Sequence, residues 1–239
     1  ANSSHPVEFL SQNLQIETNL MDAAHAANID HLLFLGSSCV YPKLSQQPIR
    51  EEYLLTGELE KTNEAYAISK ISGLKLVQAY RQQYGRRWIS AMPTNIYGPG
   101  DNFDLETSHV LPALVRKFHD AKTRSDKAVT LWGSGKPRRE FLHSADLGRA
   151  CLFLLENYDD DLAINVGTGH DLPIQELAEL VKEIVGFQGS IEWDSSKPDG
   201  TPRKLLDVSR ITTLGWKPEI DLEKGIRSTY DWFKTHSQI

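Results

Sequence analysis

The stretch AYAISK places a tyrosine at 66 and a lysine at 70. On a helix, residues four apart share a face. A lysine ammonium beside a phenol favours the phenolate and lowers its pKa. A tyrosine tuned in that way exchanges a proton with a carbonyl or alkoxide oxygen near neutral pH. A serine hydroxyl from GSS, Ser37 or Ser38, would be suited to hold the same oxygen. On spacing alone the pair reads as an interfacial tyrosine and a solvated lysine on an ordinary helix, and only its company turns the reading toward chemistry.

Such a pair has to be held beside the end of a strand, and the chain supplies both elements. Residues 64–84 carry helical spacing through Ala65, Ile68, Ile71, Leu74, Leu76, Val77 and Tyr80, and Gly85 stops the run. HLLFLGSS, 31–38, is a short apolar run opening into Gly-Ser-Ser, as a buried strand does at its carboxyl end. Before it, 7–28 read as an amphipathic helix with Pro6 in the first turn. Residues 42–62 read as a surface excursion, with two prolines, a glycine and several charges. A strand followed by Pro-Thr-Asn and Gly-Pro-Gly turns is expected over 88–102, and a helix over 110–121 with Ser108 as its cap. Strand, turn and strand follow over 128–143, then a helix over 146–156 and a buried strand over 162–169. A helix over 172–186, a strand over 190–196, the loop KPDGTPRK and a closing helix over 221–236 complete the chain.

Strands of buried type alternating with helices predict an α/β fold with a mostly parallel sheet. Sites in such sheets lie at the carboxyl ends of strands. Gly36-Ser37-Ser38, Pro93-Thr94-Asn95 and Val166-Gly167-Thr168 all fall at such ends and converge on one edge if their strands are parallel neighbours.

The bulk numbers narrow the class. The net charge of −6 over 239 residues argues against a nucleic-acid partner, although local basic clusters at Lys136–Arg139 and Arg203-Lys204 suit an anionic small molecule. No apolar run approaches the length of a membrane span, and ANSSHPVEFL lacks the basic and apolar regions of a secretory signal. Cys39 and Cys151 form neither a disulfide framework nor a CxxC metal pattern. The expectation is a cytoplasmic protein with free thiols and no metal.

Seven motifs in order carry a resemblance: GSSCVYP (36–42), NEAYAISK (63–70), MPTNIYGPGDNF (92–103), SHVLPAL (108–114), WGSGKPRREFLH (132–143), NVGTG (165–169) and KPDGTPRKLLDVSR (197–210). Together they resemble the extended, nucleotide-sugar-modifying branch of the short-chain dehydrogenase/reductase superfamily, and within it the GDP-L-fucose synthase family, over essentially the whole chain. The resemblance implies epimerisation at C3 and C5, then NADPH-dependent reduction at C4, of GDP-4-keto-6-deoxy-D-mannose. It gives Ser37, Tyr66 and Lys70 the reduction, and Cys39 and His109 the proton exchange at C3 and C5. Thiols and imidazoles ionise at about 8.5 and 6.5, close enough to neutrality for that exchange. Cofactor contacts are implied for Leu35, Gly36, Ser37, Ser38, Tyr66, Lys70, Pro93, Thr94, Asn95, Ile96 and His109. Substrate contacts are implied for Lys117, Trp132, Arg139, Asp199 and Lys204. Arg138, Lys136 and Arg203 read instead as solvated loop charge, and core packing is the other reading of Trp132.

The implied fold is a Rossmann-like parallel sheet over 1–98 and 141–168, with a smaller α+β substrate-binding domain over 99–140 and 169–239. A homodimer through the helices 7–28 and 64–84 is implied as well. Against the family pattern, no G-x-x-G-x-x-G or G-x-G-x-x-G occurs, and a first segment of roughly 70 residues with the pyrophosphate-binding turn is expected to be missing. This piece alone is then expected to bind NADPH poorly. Two alternatives follow: a nucleotide-sugar 4-epimerase or dehydratase of the same superfamily, or a non-catalytic nucleotide-binding fragment. Dehydratases carry an Asp-Glu pair where this chain has Ser38-Cys39-Val40-Tyr41, which disfavours dehydration.

Overall fold

The computed structural model describes residues 5–236. The outermost residues of the two expected domains, 1–4 and 237–239, lie outside the described residues. The chain divides into two compact units.

The first unit comprises Ala1–Thr94, Leu147–Gly169 and Leu206–Lys217. Its helices and strands begin with a π-helical turn, Glu8–Gln12, running into α1, Asn13–Ala26. The extra residue of the π turn widens the helix where the Asn13 amide donates to the Phe9 carbonyl at 2.5 Å. Strand β1, His31–Leu35, then pairs in parallel with β2, Arg87–Pro93, which pairs in parallel with β6, Ile164–Val166. Between β1 and β2 lies α2, Glu64–Tyr84, closed by Gly85 in the left-handed conformation at φ 67°. A left-handed residue ends a helix at least expense when it has no Cβ. The core joins Met21, Phe34, Leu74, Val77, Trp88 and Met92.

The 42–62 segment is not wholly superficial. Ile49 and Glu51 are buried, and Ile49 forms a parallel bridge with Leu206. The cause is Asn165 in β6, fully buried. It accepts from the Tyr41 hydroxyl at 2.6 Å and donates to the carbonyls of Ile49 and Asp207, while its N–H reaches Glu51. One buried amide thereby ties three distant segments, as buried polar groups must find partners. The same bonds hold Leu206–Lys217, with the short helix α6 (Ser209–Thr213), in this unit.

The second unit comprises Asn95–Asp146, His170–Leu205 and Pro218–Ile239. Here β3, Asn95–Tyr97, pairs in parallel with β5, Arg138–His143; β5 also pairs antiparallel with β7, Asp171–Pro173, and in parallel with the two-residue β9, Arg203–Lys204. Strands β4, Ala128–Trp132, and β8, Ser190–Asp194, form a separate parallel pair. Helices α3 (Val110–Arg124), α5 (Ile174–Val185) and α7 (Leu222–His236) bury Leu114, Val115, Phe118, Val181 and Phe233 in one core. Helix α4, Ser144–Asn157, runs through the boundary between the two lists of residues.

The expected helices and buried strands are present. The expected KPDGTPRK loop contains β9, and β7 and α6 were not foreseen. The N-cap of α3 is His109 rather than Ser108, whose buried hydroxyl has no hydrogen-bond partner. No helix among the described residues is long and apolar enough to cross a membrane.

Candidate active site

In the first unit, the parallel order β1-β2-β6 brings the carboxyl ends Leu35, Pro93 and Val166 to one edge, with Leu35 in register with Ala91 and Pro93 with Val166. Gly36 continues the β1 pairing by donating to the Ala91 carbonyl at 2.8 Å, and Thr94 donates to that of Val166 at 3.0 Å. The backbone then turns sharply: the Ser37 hydroxyl accepts from the Cys39 N–H at 3.2 Å and opens a short 3-10 turn, Ser38–Val40. Ser38 is buried, while Ser37 and Cys39 stay half-exposed.

Across this edge lies α2 with Tyr66 and Lys70. The Lys70 ammonium donates to the Leu35 carbonyl at 3.2 Å and lies 4.9 Å from the Phe34 ring centroid and 6.0 Å from that of Tyr66. Ser37, Cys39, Tyr66 and Lys70 therefore gather at the end of β1. The electrostatics differ from the sequence expectation. The Tyr66 phenol is pushed up, not down. Burial is the main cause; the Cys39 and Glu17 charges add to it, and a hydrogen bond with Ser37 opposes it. The lysine is not among the groups that move the phenol, and it has an anion beside it. Glu17 of α1, with its side chain only 6% exposed, places Oε1 at 3.1 Å from the ammonium. Helical periodicity gave no signal for Glu17.

The second unit carries the other expected residues. Asn95 on β3 donates to the Glu140 carbonyl at 2.7 Å, so its amide secures β3 against β5, with Ile96 next along the strand. His109, exposed, starts α3. Its charge acts on Asp101, a half-buried carboxylate that burial pushes up and that has one oxygen without a hydrogen-bond partner. Asp101 was also missed in the sequence.

Trp132 is not a core residue: it is 71% exposed at the end of β4, with the ammonium groups of Lys117 and Lys197 at 5.7 and 5.6 Å from its ring centroid. Asp199 is engaged by Ser134, accepting its N–H at 2.6 Å and its hydroxyl at 2.7 Å. The β5–β9 ladder sorts four cations by alternation. Arg138 lies opposite Arg203, and both hold the carboxylate of Asp171, whose side chain is 4% exposed. They are structural partners rather than the solvated loop charges expected. Arg139 lies opposite Lys204, the next pair along, and belongs to the other face.

A cavity of about 970 Å³ opens among residues 42–46, 53 and 56–62 and contains none of the expected site residues. Among the described residues, no cluster of His, Cys, Asp and Glu is arranged to hold a metal ion.

Comparison with known proteins follows this geometry. Residues 1–167 match the family described as "NAD dependent epimerase/dehydratase family". A probable GDP-L-fucose synthase 1 from Oryza sativa subsp. japonica is 57% identical over 98% of this chain and 71% of its own length. A GDP-6-OMe-4-keto-L-xylo-heptose reductase from C. jejuni superposes with a TM-score of 0.94 at 37% identity, covering 98% of this chain and 78% of that one. A GDP-L-fucose synthetase from Naegleria fowleri bound to NADP gives a TM-score of 0.92 at 29% identity, over 98% of this chain and 75% of that one.

Proposed function

This chain belongs to the NAD dependent epimerase/dehydratase family, in its GDP-L-fucose synthase group, and from that premise we propose that it acts on GDP-4-keto-6-deoxy-D-mannose. It epimerises C3 and C5 and then reduces C4, giving GDP-L-fucose. The observation that carries the reading is the gathering of Ser37, Tyr66 and Lys70 at the carboxyl end of β1.

The donors present fit a nicotinamide ribose. Lys70 has three N–H bonds, of which the Leu35 carbonyl accepts one by hydrogen bond, so further donors remain for ribose hydroxyls. NADPH, when bound, supplies the hydride. The chain's own residues do the rest. A 4-keto group acidifies the protons at C3 and C5, and Cys39 and His109 are the residues we assign to removing and returning them. Ser37 holds the C4 oxygen by hydrogen bond, and Tyr66, kept protonated by its surroundings, gives that oxygen a proton as it becomes an alkoxide. On the second unit we assign the diphosphate to Arg139 and Lys204, since guanidinium and ammonium groups suit phosphate oxygens. Trp132 with Lys117 supports the nucleotide end, and Asp199 is assigned to a hydroxyl of the substrate. Leu35, Gly36, Ser38, Pro93, Thr94, Asn95 and Ile96 are assigned to lining the cofactor.

The exposed apolar residues Val7, Ile16 and Leu20 on the first helix and Ile68 on α2 support a homodimer, and two cysteines outside any disulfide support a cytoplasmic setting.

The test is NADPH oxidation at 340 nm with GDP-4-keto-6-deoxy-D-mannose. The reading expects oxidation with this sugar, and loss of at least a hundredfold in rate for Tyr66→Phe, the lower range for removing a general acid. Wild-type rates in Tyr66→Phe would overturn it.

A further inference from the structure

Glu17 is an unusual residue to find where it stands. It lies on α1, one turn before the fully buried Met21, and its own side chain is 6% exposed. The Lys70 ammonium is 3.1 Å from Oε1; burial pushes the Glu17 carboxyl up, and the hydrogen bond and charge of Lys70 oppose that shift. Gly73, one turn beyond Lys70, makes room for this carboxylate: a Cβ there would sit 2.8 Å from Oε2. Buried ion pairs rarely stabilise a fold more than apolar side chains of similar size would. A carboxylate in this place, with burial working against its charge, is therefore poorly explained by packing. What distinguishes the position is its partner, the lysine of the reduction set.

We propose that Glu17 is a positioning residue of the reduction: its carboxylate anchors the Lys70 ammonium and balances its charge, so that Tyr66 is held as a proton donor. The proposal rests on the reading of the reaction given above. Lys70 alone, beside the phenol, would draw Tyr66 toward phenolate, the form suited to accept a proton rather than give one. Reduction of a ketone requires the opposite. With Glu17 in place the tyrosine faces a neutral pair, and the Lys70 ammonium stays fixed over the Phe34 ring. The charged groups recorded beside Tyr66 or its lysine are Glu17 on α1, Lys70 on its own helix α2, and Cys39 after β1. Of these three, Lys70 is the cation.

The experiment compares wild type, Glu17→Gln and Glu17→Met. Ionisation of Tyr66 is followed by tyrosinate absorbance at 295 nm as pH is raised, with Tyr66→Phe in each background as the subtraction. The charge-neutral variants are expected to titrate Tyr66 about one pH unit below wild type, the low end of the effect of an uncompensated charge nearby. In the NADPH-dependent reaction, the alkaline limb of kcat/KM moves down by the same interval. Melting curves run alongside. Unmoved titration and unmoved pH profile, with only a lower Tm, would make Glu17 a packing residue and overturn the proposal. Failure of both variants to fold would do the same. The titration needs neither substrate nor cofactor. An inactive wild type therefore sinks the reading of the reaction and leaves the titration to decide on Glu17, whereas an active wild type with unmoved Tyr66 sinks Glu17 alone.

Discussion

Gly73→Ala sets two physical effects against each other. Glycine inside a helix is worse than alanine by about 1 kcal/mol, so helix propensity alone expects the substitution to stabilise α2. The surroundings say otherwise. A Cβ at 73 would lie 2.3 Å from Phe34 Cζ, 2.8 Å from Phe34 Cε1 and 2.8 Å from Glu17 Oε2. Phe34 is buried on β1, and Glu17 is held between α1 and Lys70, so neither can swing aside into solvent. Overpacking of this kind costs about 1 to 3 kcal/mol. With three contacts under 3 Å from two different side chains, the upper end applies, about 3 kcal/mol. Subtracting the propensity gain leaves a net loss of about 2 kcal/mol, roughly thirtyfold in the folding equilibrium. Urea unfolding followed by tryptophan fluorescence reads this as a lower midpoint at an unchanged slope. A Gly73→Ala protein as stable as wild type, or more so, would refute the reasoning, because it would mean that Phe34 and Glu17 yield without penalty.

Two further outcomes follow. Burial pushes the Asp171 carboxyl up, but the Arg203 and Arg138 guanidiniums outweigh it and hold the carboxyl below the usual carboxylate range. The pair's contribution is therefore full above the unfolded value of about 3.9 and is lost as pH falls through the lower folded value. Asp171→Asn should lower stability by about 2 kcal/mol near neutrality, less than a fully buried pair because both guanidinium side chains are some 40% exposed, and should show a shallower loss of stability on acidification below pH ~4. A variant whose acid unfolding tracks wild type would count against the assignment. Trp132→Ala, at an exposed position, should leave stability within about 0.5 kcal/mol while raising KM for the GDP-sugar at least tenfold, the effect of one lost contact of about 1.4 kcal/mol. An unchanged KM would remove Trp132 from the substrate site.

Much of this was legible in the sequence, for identifiable reasons. The Tyr66–Lys70 pair could be placed because both residues lie on one helix whose spacing and glycine stop are local signals. The three loops at one edge could be foreseen because buried parallel strands are written as short apolar runs. What escaped depends on partners far apart in the chain. Glu17 looks like any charge on an amphipathic helix until β1 and α2 close over it. Arg138 and Arg203 look solvated until a two-residue strand sets them opposite each other over Asp171. That strand, like β7, is too short to show a period of two. Ile49 and Glu51 sit among prolines and charges, and partners far along the chain draw them inward: the buried amide of Asn165, the bridge to Leu206 and the Arg210 guanidinium beside Glu51. The direction of the Tyr66 shift was misjudged for the same reason: local spacing shows the lysine but not the burial that pushes the phenol up, nor the Cys39 and Glu17 charges that add to it.

The two-residue strand β9 has a consequence for how the second unit can change over time. Because neighbours along a strand face opposite ways, the ladder separates the cations that lock the chain to itself from those next to them in register. On the diphosphate assignment proposed for Arg139 and Lys204, substitutions there act on the bound anion while the lock at 138, 171 and 203 stays closed. The proposed anion contacts can thus be exchanged without first surrendering the ion pairs that hold the fold.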